Sequence, residues 1–174
     1  METHVDGLRC TLGTADLVWA LGVGRQRYEN AMQRGYATRF GESKDTLEPH
    51  LRGACGELAV ARITGRTWTG HVERFRHGPD IEDTDWEVRW SERECWKVAE
   101  HDNGCVVCIE GARPTLTLIG WLDPVMVRDR LTASGYDKGK GPFWLLPSAL
   151  WFNPSFGVGN FGKPPHAYMG GITI

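Results

Sequence analysis

The sequence predicts an α+β (α/β) domain in which a helical N-terminal part precedes a mixed central sheet. Apolar residues recur at helical spacing over residues 14–65, whereas from residue 71 they alternate or form short runs typical of strands. The chain has 174 residues, 41% of them hydrophobic, which is enough to bury a sizeable core without disulfides or a structural metal. We expect one domain over residues 1–152, with its sheet core within residues 71–122.

The first predicted helix covers residues 14–35. Thr14 suits its N-cap and Gly35 suits its end, because a hydroxyl can satisfy the first free amides and glycine readily ends a helix. Gly22 and Gly24 lie in its middle, where glycine weakens helical structure. We therefore expect a break or turn at these two glycines.

The second predicted helix covers residues 49–63. Pro49 suits a first helical turn, where its missing amide donor costs nothing, and Gly65 directly follows the end. Residues 36–48 before it are polar and predict a loop.

The rest of the chain alternates between strand signals and turn signals. We expect strands at 71–76, 86–91, 105–109 and 115–121 and a short helix at 124–131, after which a glycine-containing loop leads to the apolar stretch 143–146. Residues 153–174 differ, since 153–171 hold five Gly and three Pro but one formal charge. They predict an irregular, aromatic C-terminal tail that packs on the domain or on a partner chain.

Composition excludes several classes of protein. The net charge of −2 is not that of a basic nucleic-acid coating protein, although a nuclease with acidic metal ligands remains compatible with it. The N-terminus lacks a secretory pattern, and no apolar run approaches 18 residues, so we expect no membrane partner. Five cysteines without a secretion signal predict reduced thiols and a cytoplasmic location.

One predicted strand carries charged residues at alternate positions. In residues 86–91, apolar side chains would face the core and leave Glu87 and Arg89 together on the opposite face. Asp80 lies seven positions before Glu87, and a turn through 82–85 would bring the two carboxylates together. Two carboxylates beside a cation suit Mg²⁺, which prefers oxygen ligands. The alternative is a solvated strand face with an ordinary ion pair.

Glu57 is the third candidate acid, on the second predicted helix. Its neighbours three and four positions away are Gly53, Ala54, Val60 and Ala61, so no intrahelical basic partner is available. Small residues also allow a helix to approach a sheet closely, which would bring the carboxylate to the sheet. The alternative is a surface glutamate at the edge of the apolar face.

Three short motifs occur in a fixed order. They are Gly56-Glu57-Leu58-Ala59-Val60-Ala61, Gly78-Pro79-Asp80-Ile81 and Glu87-Val88-Arg89. Together they resemble the PD-(D/E)XK nuclease superfamily, in particular its small members encoded by phages and prophages. The resemblance covers roughly residues 12–150, and the order and spacing of the motifs are more specific than any one of them.

The resemblance implies a restriction-endonuclease-like fold, a mixed central sheet flanked by helices, and Mg²⁺- or Mn²⁺-dependent hydrolysis of DNA. Asp80, Glu87 and the carbonyl of Val88 would bind the metal, and Glu57 would bind a second metal or orient its water. Arg89 departs from the family, which usually has Lys there. Arginine cannot act as a general base, but it can hold a phosphate oxygen.

Four further residues are candidates for nucleic-acid contact. Trp68, next to Gly70, would stack on a base if it is exposed, although most tryptophans are core residues. Lys97 is a substitute for the usual lysine. Arg128 and Arg130 would contact the DNA backbone, with a solvated face as the alternative.

Other readings of the sequence remain open. Cys105 and Cys108 have the spacing of a zinc knuckle, but the two valines between them favour a strand with buried thiols. The chain is alternatively a non-catalytic binding or anti-defence protein on the same scaffold, with a host or phage protein partner, or a phage assembly protein. The resemblance itself implies a phage- or prophage-encoded protein in the bacterial cytoplasm. Monomer and homodimer are both open at this point.

Overall fold

The computed structural model describes residues 1–34, 47–72, 78–91, 95–99, 105–122 and 143–147. These stretches form two helices and seven strands, which gives a mixed α+β fold. The helices are α1 (Thr14–Gln33) and α2 (Glu48–Thr64). The strands are β1 (His4–Asp6), β2 (Arg9–Thr11), β3 (Glu87–Ser91), β4 (Cys95–Ala99), β5 (Val106–Ala112), β6 (Thr115–Leu122) and β7 (Phe143–Pro147).

Five strands form a mixed sheet in the order β1-β2-β6-β5-β3. Strand β3 runs parallel to β5, with Val88 opposite Val107, and the other pairs are antiparallel. Strands β4 and β7 pair separately as a two-stranded antiparallel sheet. The predicted mixed sheet is therefore confirmed, and β3, which carries the candidate residues, is the last strand in the five-stranded order.

Helix α2 packs closely on the sheet because small residues line its inner face. A Cβ atom on Gly56 would lie 3.4 Å from the Ile109 side chain and 3.6 Å from the Val88 side chain. The helix begins one residue before Pro49 and ends at Thr64. Its C-cap is Gly65, whose φ of 66° is the left-handed conformation that glycine adopts easily. The predicted helix and its close approach to the sheet are both confirmed.

Helix α1 packs against α2 and is continuous, so the predicted break at Gly22 and Gly24 is wrong. A Cβ atom on Gly24 would lie only 2.7 Å from the His50 carbonyl oxygen. Gly24 therefore serves helix–helix packing, in which the lack of a side chain lets the two backbones meet. Thr14 is the first helical residue, and Gly13 rather than Thr14 is the N-cap.

Several predicted elements are wrong or lie outside the described residues. His71 and Val72 are not in a strand, and residues 73–76 of that predicted strand are outside the described residues. So are Gly35, the predicted helix at 124–131 and the tail at 153–174. Strands β1, β2, β4 and β7 were not predicted.

Strand β5 is at the centre of the core. Val106, Val107, Cys108 and Ile109 are all at most 2% exposed, as the continuous apolar run predicted. Cys105 and Cys108 are buried free thiols, and burial raises the pKa of Cys108 well above its usual value. Among the described residues, no helix is both long and apolar enough to cross a membrane.

Candidate functional site

The alternation predicted for β3 is confirmed. Trp86 and Val88 are 5% and 9% exposed and belong to the core. Glu87 and Arg89 are half-buried, and they lie on the other face because side chains alternate along a strand. The strand thus holds one acidic and one basic side chain on the same face.

Asp80 is held against the start of β3 by a closed loop. Its amide donates to the Trp86 carbonyl (2.9 Å), and its Oδ2 accepts the Val88 amide (2.7 Å). Inside the loop, the Thr84 hydroxyl donates to the Ile81 carbonyl (2.7 Å) and accepts the Trp86 amide (3.1 Å). The predicted turn therefore forms, and it fixes Asp80 beside the backbone of β3.

The electrostatic surroundings of Asp80 disfavour its charge. Burial raises the pKa of this carboxyl well above its usual value, and the negative charges of Glu57 and Glu87 raise it further. The hydrogen bond from the Val88 amide and the positive charge of Arg89 oppose the rise without cancelling it. The three predicted acids thus interact electrostatically at one place in the fold.

Glu57 is a buried residue, 4% exposed, and not a surface glutamate. Its Oε1 accepts Arg27 NH1 at 2.6 Å, and its Oε2 accepts Arg27 NH2 at 2.8 Å. Oε2 also accepts the indole Nε1–H of Trp68 at 2.8 Å. Both carboxylate oxygens are therefore engaged by side chains of the protein.

Trp68 is 4% exposed, so the prediction of an exposed stacking surface is wrong. Its ring lies 4.9 Å from that of Trp19 (centroid to centroid), and its indole N–H is satisfied by Glu57. A buried tryptophan needs such a partner for its N–H, and the acid on α2 supplies it.

Arg27 is the residue that the sequence reasoning missed. Its guanidinium also donates through Nε to the His71 carbonyl (2.9 Å), so it joins α1, α2 and the segment after α2. Burial alone would lower its pKa, but the charges of Glu57 and Asp80 and the hydrogen bonds that Arg27 donates to Glu57 raise it overall. A signal was present, since Arg27 is in register with the buried stripe Ala20, Val23, Gly24 and Ala31.

Arg89 is directed toward Glu87 and the backbone of β3. Its NH1 donates to Glu87 Oε2 at 3.2 Å and to the Val88 carbonyl at 3.3 Å. The side chains of Arg89 and Glu87 are 16% and 29% exposed. The guanidinium therefore contacts two of the oxygen atoms that the sequence reasoning assigned to a metal.

The remaining candidates are Lys97, Arg128 and Arg130. Lys97 is in β4, where its backbone is opposite Leu145 of β7. Arg128 and Arg130 lie outside the described residues. Within the described stretches, no group of three or more His, Cys, Asp or Glu side chains is arranged to hold a metal ion.

No protein-family model, no curated protein and no solved structure matches the chain.

Proposed function

We propose that the chain is a Mg²⁺- or Mn²⁺-dependent deoxyribonuclease with a restriction-endonuclease-like fold. The observation that carries the proposal is the grouping of Asp80, Glu87 and the Val88 carbonyl at the start of β3. Two carboxylates and a carbonyl are hard oxygen donors, the type that Mg²⁺ binds while keeping several waters. The order of the motifs along the chain supports the same assignment.

The donor atoms fit a single divalent cation better than a pair. Asp80 Oδ2 accepts the Val88 amide, which orients the carboxylate along β3. The mutual repulsion among Asp80, Glu57 and Glu87 is a cost that a bound cation would reduce. Glu57 fits poorly as a direct ligand because Arg27 and Trp68 hold both of its oxygens.

The roles of the side chains follow from these contacts. When bound, the divalent cation supplies an acidified water and stabilises negative charge on the phosphate. Asp80 and Glu87 would hold it, and Glu57 would act as a buried negative charge that Arg27 fixes in place. Arg89 remains protonated, so it serves to hold a phosphate oxygen and does not accept the proton of the attacking water.

A cleavage assay on supercoiled, linear and single-stranded DNA, with Mg²⁺, Mn²⁺ or EDTA, tests the proposal. Wild type should cut in either metal and not in EDTA. Asp80→Ala and Glu87→Ala should each lower the rate at least about 100-fold, because such electrostatic groups are worth several kcal/mol in the transition state. Arg25→Gln, an exposed change on α1, is the matched control and should cut like wild type.

Cutting that persists in EDTA, or in both carboxylate variants, would contradict the assignment. So would the absence of cutting on every substrate by a folded protein.

A second function is favoured by the contacts of Arg89. A guanidinium on Glu87 and on the Val88 carbonyl neutralises the site without a metal, as expected for a scaffold that has lost catalysis. The chain would then bind nucleic acid or a host defence protein. Retained DNA binding after Ala replacement of Glu57, Asp80 and Glu87, with no cleavage by wild type in any metal, would favour this function.

A further inference from the structure

Arg89 and the proposed metal share the same oxygen atoms. The NH1 group of Arg89 is 3.2 Å from Glu87 Oε2 and 3.3 Å from the Val88 carbonyl oxygen. Both oxygens belong to the set proposed above for the divalent cation. A guanidinium and a divalent cation cannot occupy these positions together, because their positive charges repel at such short range.

We propose that Arg89 is a built-in competitor of the divalent cation, which binds Glu87 and the Val88 carbonyl as the guanidinium leaves them. This inference rests on the proposed function, since it uses the same ligand atoms. It assigns Arg89 a regulatory role in metal loading, beyond a contact with phosphate.

The contact between Arg89 and Glu87 is the looser of the two arginine–glutamate pairs at this site. Arg89 contacts the Glu87 carboxylate through one nitrogen at a long distance, and the two side chains are 16% and 29% exposed. This contact is therefore easier to exchange than a fully buried, two-pronged one. Arg27 differs in each respect, since its two nitrogens bind Glu57 at 2.6 and 2.8 Å and both side chains are 6% exposed.

Displacement also frees the guanidinium for another anion. A phosphodiester is the anion that a nuclease substrate presents, and arginine binds phosphate oxygens through paired donors. Metal binding at Glu87 would thus release Arg89 to bind a phosphate oxygen. An unliganded site keeps its acidic oxygens neutralised by the arginine.

Binding of Mn²⁺ to the full chain, without DNA, tests the competition. Electron paramagnetic resonance reports free Mn²⁺ during a titration of wild type, Arg89→Gln, Arg89→Lys and the control Arg25→Gln. Arg89→Gln should bind Mn²⁺ about 5- to 150-fold more tightly than wild type, the usual range for coupling between two ligands. Arg89→Lys keeps the charge and should gain less, and Arg25→Gln should match wild type.

A double variant tests whether a gain in Mn²⁺ affinity depends on the Glu87 carboxylate. Adding Glu87→Gln to Arg89→Gln should abolish the tighter binding, because the contested carboxylate is then gone. Circular dichroism confirms that each variant is folded, and Mn²⁺ should raise the midpoint of thermal unfolding more for Arg89→Gln than for wild type.

The outcomes separate this inference from the proposed function. If wild type cuts DNA but Arg89→Gln binds Mn²⁺ no more tightly, the competition is wrong and the nuclease stands. If Arg89→Gln gains affinity through Glu87 and no form cuts DNA, the competition stands and the nuclease assignment fails. If no folded variant binds Mn²⁺, both are overturned.

Discussion

Two arginine–glutamate pairs act on Asp80, and they are built from the same residue types in different ways. Arg27 and Glu57 form a buried, two-pronged pair, and Trp68 adds a third hydrogen bond. Arg89 and Glu87 share one contact at 3.2 Å and are partly exposed. Burial and the number of bonds, more than charge, separate a pair that holds the fold from one that can be exchanged.

Removing one member of the buried pair is the most direct test of the difference between the two pairs. Arg27→Met should destabilise the protein by about 3–5 kcal/mol, because Glu57 is left as an uncompensated buried charge. The free energy of unfolding from urea denaturation, followed by circular dichroism, measures the loss.

Two controls accompany this variant. Arg25→Met lies on the same helix in an exposed pair with Glu29 and should change stability by no more than about 0.5 kcal/mol. Combining Arg27→Met with Glu57→Gln should recover part of the loss, since no charge is then stranded. A loss below about 1 kcal/mol in Arg27→Met would show that the pair is not the anchor described here.

A smaller effect is expected where α1 meets α2. Gly24→Ala places a Cβ 2.7 Å from the His50 carbonyl oxygen and 2.8 Å from Leu51 Cα, both backbone atoms that cannot rotate away. Separating the helices should cost about 1–3 kcal/mol and loosen the contact between Arg27 and Glu57. Thermal unfolding measures the change.

Gly22→Ala is the matched control for Gly24→Ala, two positions earlier on α1. Among the described residues, an added Cβ there meets no atom within 4 Å beyond its own stretch of helix, so alanine should stabilise the helix by about 0.5–1 kcal/mol. If both substitutions stabilise the protein, the close packing at Gly24 is refuted.

Asp80 links the two pairs, and its titration gives a pH test. Its pKa is raised on folding, mainly by burial and then by Glu57 and Glu87. The folded protein therefore binds this proton more tightly than the unfolded chain does. The resulting stability is present below the ordinary value of 3.8 and is lost as pH rises through the folded pKa.

Asp80→Asn should remove the fall in stability with rising pH. The variant should therefore be more stable than wild type at neutral pH, and equally or less stable in acid. Urea midpoints measured from acid to neutral pH check the sign, and Asp6→Asn on β1 accounts for the general effect of removing one negative charge. Wild type and Asp80→Asn curves that stay parallel over this range would contradict the electrostatic picture.

The smallest effect is expected at the partly exposed pair. Arg89→Gln should change the free energy of unfolding by only about 0–1 kcal/mol, because this pair keeps some solvent contact and is joined by one long hydrogen bond. The same urea experiment measures it beside Arg27→Met. A cost close to that of Arg27→Met would mean that the two pairs are equivalent and that Arg89 is not displaceable.

Much of the fold follows from local sequence. Helix α2 could be predicted from Pro49 and Gly65, and the faces of β3 from strict alternation. The hairpin of β1 and β2 was missed because its strands have three residues each, although its two-residue loop, Gly7 and Leu8, begins with a glycine whose φ is 55°. Gly24 was misread because helix packing, and not propensity, decides its role.

The site could be predicted only where its residues are close in sequence. Asp80 and Glu87 are joined by a short loop, so their meeting followed from a turn. Arg27 and Glu57 are 30 positions apart, and nothing local pairs them. Trp68 was misplaced for the same reason, since its partner is a carboxylate on the preceding helix.

The position of β2 between β1 and β6 has a consequence for synthesis of the chain. The Thr11 hydroxyl lies 3.0 Å from that of Thr115, 104 positions later. Strands β1 and β2 can pair with each other early, but β2 reaches its second neighbour only when β6, the last strand of this sheet in chain order, has been made. Pairing between strands so far apart in sequence is slow. The five-stranded sheet is therefore complete only after residues 115–122 have emerged.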